Sequence, residues 1–215
     1  VSTRDNGMLR PDFVDIFQIN SLVAYVPVDS SKYYVLDATS KFETYNQVPF
    51  NLLNSYGLCL DKEKDKYDMV FLKTNAPSKE VIIMTGDIGA DAKMHGSADI
   101  VSYGYNRTGK LEILKSLEKK KYEEFLTEAD NNLKLINLKS ENVEVDTLPL
   151  KQSFDFTYEL NNTDNYLLFS PNIFTTLHIN PFLSEARTSA IDFGYTNSHV
   201  IIGTYKIPPG YKVES

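Results

Sequence analysis

The sequence predicts a mainly β (α+β) protein, an antiparallel β-sandwich with one inserted amphipathic helix at about 108–130. Three observations carry that prediction. Short β-branched and aromatic runs recur along the chain, separated by turn residues. One of them, SFDFTYEL at 153–160, alternates strictly between apolar and polar residues. Only one stretch, TGKLEILKSLEKKKYEEFLTEAD, carries a helical period.

Taken in order, LVAYVPV (22–28) and YYVLDA (33–38) read as a hairpin turning at Asp29-Ser30-Ser31-Lys32. YDMVFLK (67–73) and EVIIM (80–84) read as a second pair around Asn75-Ala76-Pro77-Ser78. Residues 91–105 read as a long strand, in which Gly96 marks a bulge or a tight approach. In the helix, Leu111, Leu114, Leu117, Tyr122, Phe125 and Leu126 share one face, and Thr108 is the expected N-cap. The lysines at 119–121 are read as a solvated helix face rather than an anion site. In 153–160, Phe154, Phe156, Tyr158 and Leu160 face one way and Ser153, Asp155, Thr157 and Glu159 the other, as in a sheet with one wet face. NNTDN (161–165) turns the chain back to 166–169, and HVIIGTYKI (199–207) closes it. A boundary is expected near 56–66, where Gly57 and DKEKDK interrupt the pattern.

Composition narrows the function. The chain has 215 residues, enough for a core without disulfide staples. Its formal charge of −7 argues against a nucleic-acid or anionic-membrane surface. No run of about 18 apolar residues is present, so no membrane-spanning segment is expected. No cofactor or metal motif is found: His95, His178 and His199 form no metal-ligand spacing. GDIGAD (86–91) lacks calcium-loop and phosphate-loop spacing and reads as a hairpin turn. The single cysteine, Cys59 in GLCLD, reads as a buried inert thiol. Asn106-Arg107-Thr108 and Asn161-Asn162-Thr163 match a glycan acceptor pattern that turn chemistry also explains. Arg187 is expected to pair with an acid such as Asp192. The aromatics at Phe154, Phe156 and Tyr158 are assigned to the core over a ligand platform.

Two stretches carry a family resemblance. STRDNGMLRPDF together with FQINSLVAYVPVDSSKYYVLDAT resembles the last part of the transglutaminase-like core, a papain-type fold of secreted bacterial multidomain proteins. NPFLSEARTSAIDFGYTNSHVIIGTYKIPPGYKVES (180–215) is similar to the uncharacterised β-rich domain that follows that core. The resemblance implies a core remnant at 1–60, a β-sandwich at 61–215, and an extracytoplasmic location in the periplasm or at the cell surface. It also implies that this chain is a fragment of a longer protein.

The chemistry of such a core needs a cysteine thiolate, a histidine and an orienting carboxylate. By resemblance Asp37 holds the carboxylate position, and Ser21 stands where the histidine belongs. Serine has no titratable nitrogen and cannot take the thiol proton. The nucleophile would lie upstream of residue 1, since Cys59 follows the aspartate. Read from the residues alone, Asp37 is a strand-end aspartate capping a turn near Thr39, and Ser21 an exposed strand residue. The expected function is therefore a non-catalytic accessory or binding module with a protein or peptide partner. The alternatives are part of a cysteine-dependent peptidase or transglutaminase-like amidase, and a carbohydrate- or peptide-binding sandwich.

Overall fold

The computed structural model describes residues 1–7, 9–10, 12–13, 15–29, 32–74, 77–163, 166–175, 180, 182–183, 186, 188 and 191–214. His178 and Arg187 lie outside them. The chain forms two compact units: Val1–Ser78 with Ile191–Asn197, and Lys79–Ala190 with Ser198–Ser215.

The first unit is built on two antiparallel hairpins. In one, β1 (Ala24–Pro27) pairs with β2 (Tyr33–Leu36), as the sequence predicts. Its turn is tied by Val28 N–H to the Lys32 carbonyl at 2.9 Å and by Lys32 N–H to Asp29 Oδ1 at 2.8 Å. In the other, β3 (Ser55–Asp61) pairs with β4 (Lys66–Leu72). This corrects two expectations. The charged stretch read as a boundary is the hairpin tip, where Asp61 accepts from the N–H groups of Glu63 and Lys64. The run around 67–73 pairs backward with 55–61 and not forward with 80–84. A four-residue turn with Asp65 in the left-handed region (φ 48°) closes the nearer pair locally.

The same unit binds its distant segment through Arg4. The Arg4 guanidinium lies 3.3 Å from Asp192 and donates to the Asp192 carbonyl at 2.9 Å. Asn54 Nδ2 donates to Asp192 Oδ1 at 3.0 Å. Asp192 thus has its cation in Arg4. Its carboxyl is held below the usual range, first by the Gly194 N–H and then by Asn54 and Arg4.

The second unit is one five-stranded sheet in the order β11-β5-β6-β8-β7. Its strands are β5 (Ser78–Ile88), β6 (Lys93–Tyr103), β7 (Leu133–Glu141), β8 (Leu150–Glu159) and β11 (Asn197–Lys206). Between β8 and β11 lies a small hairpin of β9 (Asn161–Thr163) and β10 (Tyr166–Leu168). GDIGAD closes β5 onto β6 as the expected hairpin turn, with Gly89 N–H to the Lys93 carbonyl at 2.7 Å. β5, β6, β8 and β7 are successively antiparallel. β11 runs parallel to β5: Ser78 N–H meets the Thr196 carbonyl at one end, and Lys206 reaches Asp87 at the other.

The sheet is apolar on one face, as the 153–160 alternation predicts. Ile82, Met84, Met94, Ile100, Phe154 and Phe156 are buried there. Phe174 covers one end of that face, with its ring edge-on to Phe154 and Phe156 at 4.9 and 5.3 Å. Helices α1 (Tyr105–Ser116) and α2 (Lys119–Leu126) cover the other end. Lys110 Nζ pairs with Glu80 at 2.5 Å, and Tyr122 OH donates to Gln152 at 3.0 Å.

Three expectations fail in this unit. The expected sandwich is instead an open five-stranded sheet, its apolar face covered by helices, irregular chain and Leu167 of the small β9–β10 hairpin. The single helix at 108–130 is two helices, broken where Leu117 and Glu118 turn extended. The apolar stripe steps by five from Leu117 to Tyr122, so one straight helix would swing Tyr122 away from the sheet. α1 also starts earlier than expected, with Gly104 (φ 61°) as N-cap and Thr108 buried inside the first turn. β7 had no predicted counterpart, because a register irregularity between Ile136 and Lys139 breaks its alternation.

Candidate functional site

The two residues that resemblance assigns to catalysis lie at the ends of the β1–β2 hairpin. Asp37 follows β2, just beyond the last ladder pair, Ala24 with Leu36. Its Oδ1 accepts the Thr39 N–H at 2.9 Å, a turn-capping contact. Ser21 precedes β1, and its N–H bonds to the Val1 carbonyl at 3.1 Å. The unit that holds Ser21, Asp37 and Cys59 contains no histidine in its sequence.

Ser21 nevertheless borders a cavity. A groove of about 360 Å³ runs between β1 and β3. Ser21–Tyr25 form one wall, Gly57–Leu60 the other, and Val35, Val70 and Leu72 the apolar floor. Asp37 is not among the described lining residues. Cys59 enters the groove from β3, where its ladder partner is Asp68. Tyr25 stacks on Tyr33 at 5.1 Å between centroids. Burial first, and then the nearby Tyr33, Cys59 and Asp68, push the Tyr25 phenol up.

The groove rim is apolar and wet. Leu22 is 93% exposed and Leu60 65%. The lining residues that carry polar groups include Val1, Ser21, Tyr25, Cys59 and Lys62. An apolar trough with a few polar groups suits a ligand carrying apolar side chains. The sequence of this unit holds no imidazole to serve the thiol as a base.

A larger depression, about 550 Å³, lies on the open face of the five-stranded sheet. Thr85, Ser97, Asp99, Lys139, Ser153 and Asp155 line it. Several of its polar groups are already paired. Ser153 donates to Asp99 at 2.5 Å, Lys151 stands 3.8 Å from Asp99, Thr85 and Ser97 share a hydrogen at 3.1 Å, and Asn137 donates to Asp155 at 3.3 Å. A ligand there would have to break those pairs, which makes the groove the better candidate.

Other predicted residues fall elsewhere. His95 lies on the open face, 3.2 Å from the Thr157 hydroxyl. Phe154 and Phe156 are core residues, which removes the aromatic platform. Among the described residues no three His, Cys, Asp or Glu side chains are grouped to hold a metal ion. No described helix is long and apolar enough to cross a membrane. Sequence reasoning missed the groove wall at Gly57–Leu60. Its signal was the alternation of SYGLCLD, hidden by reading that stretch as a boundary. No protein-family model, curated protein or solved structure matches the chain.

Proposed function

We propose that the chain is a non-catalytic accessory module that binds a peptide partner through the groove between β1 and β3. The observation that carries this reading is the apolar groove with its exposed leucine rim. Buried apolar floor supplies affinity for one or two side chains, and Ser21 and Lys62 orient the polar backbone between them. The lack of any histidine in the same unit favours binding over acyl transfer. The parent in this reading is a secreted transglutaminase-like protein; its support is the resemblance of the two quoted stretches.

The test is an NMR titration of the full chain with a library of short apolar peptides. Shifts should concentrate at Leu22–Tyr25 and Leu58–Leu60, and Leu60→Glu should abolish them while leaving the remaining spectrum intact. An unperturbed groove at millimolar peptide would end the proposal. Turnover of peptide amides that disappears in Cys59→Ser would replace it with a catalytic one.

A further inference from the structure

The Val1–Ser2 segment lies at the end of the β1–β3 groove as a short piece of strand. Val1 and Ser21 exchange two backbone bonds. The Val1 nitrogen donates to the Ser21 carbonyl at 2.8 Å, and Ser21 N–H donates to the Val1 carbonyl at 3.1 Å. That exchange defines an antiparallel pair. On the other side, Ser2 N–H donates to the Tyr56 carbonyl at 3.3 Å, and the Ser55 hydroxyl donates to the Ser2 carbonyl. One extended segment thus separates the two hairpins at this end by two strand spacings, roughly 9.5 Å. The groove of about 360 Å³ begins at Val1 and continues between the same two walls to Tyr25 and Leu60.

Both walls turn backbone groups into that space. Val28 N–H bonds to the Lys32 carbonyl, and the β1–β2 ladder continues in that register. Even-numbered residues of β1 therefore bond to β2, while Val23 and Tyr25 turn their N–H and C=O the other way, as Ser21 does toward Val1. On β3, Tyr56 turns its carbonyl to Ser2, so by the same alternation Leu58 and Leu60 face the groove. Among the described residues no strand pairs with this side of β1 or of β3. The side chains follow the same period. The Val1 side chain lies over Gly57, on the face where Gly57 pairs with Val70. Tyr25 and its ladder partner Val35 line the same groove.

We infer, resting on the peptide-binding reading of this groove, that the partner enters as an extended strand between β1 and β3, antiparallel to both. The Val1–Ser2 segment sets its register. Residues opposite Val23 and Tyr25 bond to β1 and lay their side chains on the apolar floor, as Val1 does at Gly57. The residues that alternate with them bond to Leu58 and Leu60 and point outward, beside the exposed Leu22 and Leu60. About four residues fit, at roughly 3.3 Å each. The partner is therefore a peptide segment with an aliphatic or β-branched side chain at every second position and no proline, since its N–H groups are used on both sides.

The experiment is an NMR titration with amide hydrogen exchange on the full 215-residue chain. The probe is the blocked peptide acetyl-Val-Thr-Val-Thr-amide, beside the same peptide N-methylated at both valines. The valines take the floor positions, where their N–H groups face β1. The amides of Val23, Tyr25, Leu58 and Leu60 should exchange more slowly with the unmethylated peptide. N-methylation keeps the side chains and removes two donors, so it should weaken binding by about tenfold or more. Equal binding of the two peptides overturns the strand pairing and leaves the groove reading standing. Binding of neither removes that reading and the inference with it. Protection of the four amides before any peptide is added also overturns the inference, because the protein's own chain would then fill the slot.

Discussion

Among the described residues, Glu80 and Lys110 form the most deeply placed ion pair in the second unit, with side chains 8% and 14% exposed. Ser102 donates a further hydrogen bond to Glu80 at 3.1 Å. Removing one partner leaves the other charge buried and unpaired. Lys110→Met should therefore cost about 3–5 kcal/mol in urea unfolding, and adding Glu80→Gln should recover much of it. A single variant within about 1 kcal/mol of the parent would show that water reaches the pair. Tyr122 gives a pH signature. Burial pushes its phenol up from 10.0 to about 12, aided by the Glu80 charge and opposed by the Gln152 hydrogen bond. The folded state then holds the proton more tightly than the unfolded chain. Stability from this group is complete below pH 10 and is lost as pH rises toward 12. Unfolding midpoints between pH 8 and 11.5 should fall more steeply in the parent than in Tyr122→Phe. Equal slopes would mean that the other buried tyrosines carry the effect.

At the scale of elements, Gly96 shows what the central strand demands. The β5–β6 ladder runs unbroken through the Gly86–Gly96 pair, so Gly96 marks a close approach and not a bulge. A Cβ there would lie 2.2 Å from the Thr85 carbonyl oxygen and 2.6 Å from the Phe156 ring. Neither backbone nor packed ring can yield cheaply, so Gly96→Ala should destabilise by about 2–3 kcal/mol or more. Gly109 in α1 faces open space, and Gly109→Ala should stabilise by up to about 1 kcal/mol through helix propensity. Paired denaturation curves test both, and a tolerated Gly96→Ala would mean that the strands separate more freely than this packing implies. Arg107 ties α1 to the loop before β8, donating to the carbonyls of Val145 at 2.8 Å and Leu148 at 3.0 Å. That role explains a buried arginine inside a pattern that also reads as a glycan acceptor.

At the scale of the molecule, local patterns in the sequence determined a good deal. The β1–β2 hairpin, the GDIGAD turn, the wet and dry faces of β8 and the closing strand all follow from runs of a few residues. Alternation, turn chemistry and burial propensity act over that span, so they are visible without coordinates. The turn-capping contact of Asp37 was legible for the same reason. Tertiary structure decided what depended on distant partners. It paired β4 with β3, split the helix so that Tyr122 could reach Gln152, and placed helices where a second sheet was expected. It gave Asp192 to Arg4 from the far end of the chain, and it brought Gly57–Leu60 opposite Ser21–Tyr25 to make the groove. Each of these choices selects among several locally acceptable partners. A period of two or of 3.6 residues says which face is apolar, but only packing says what covers it.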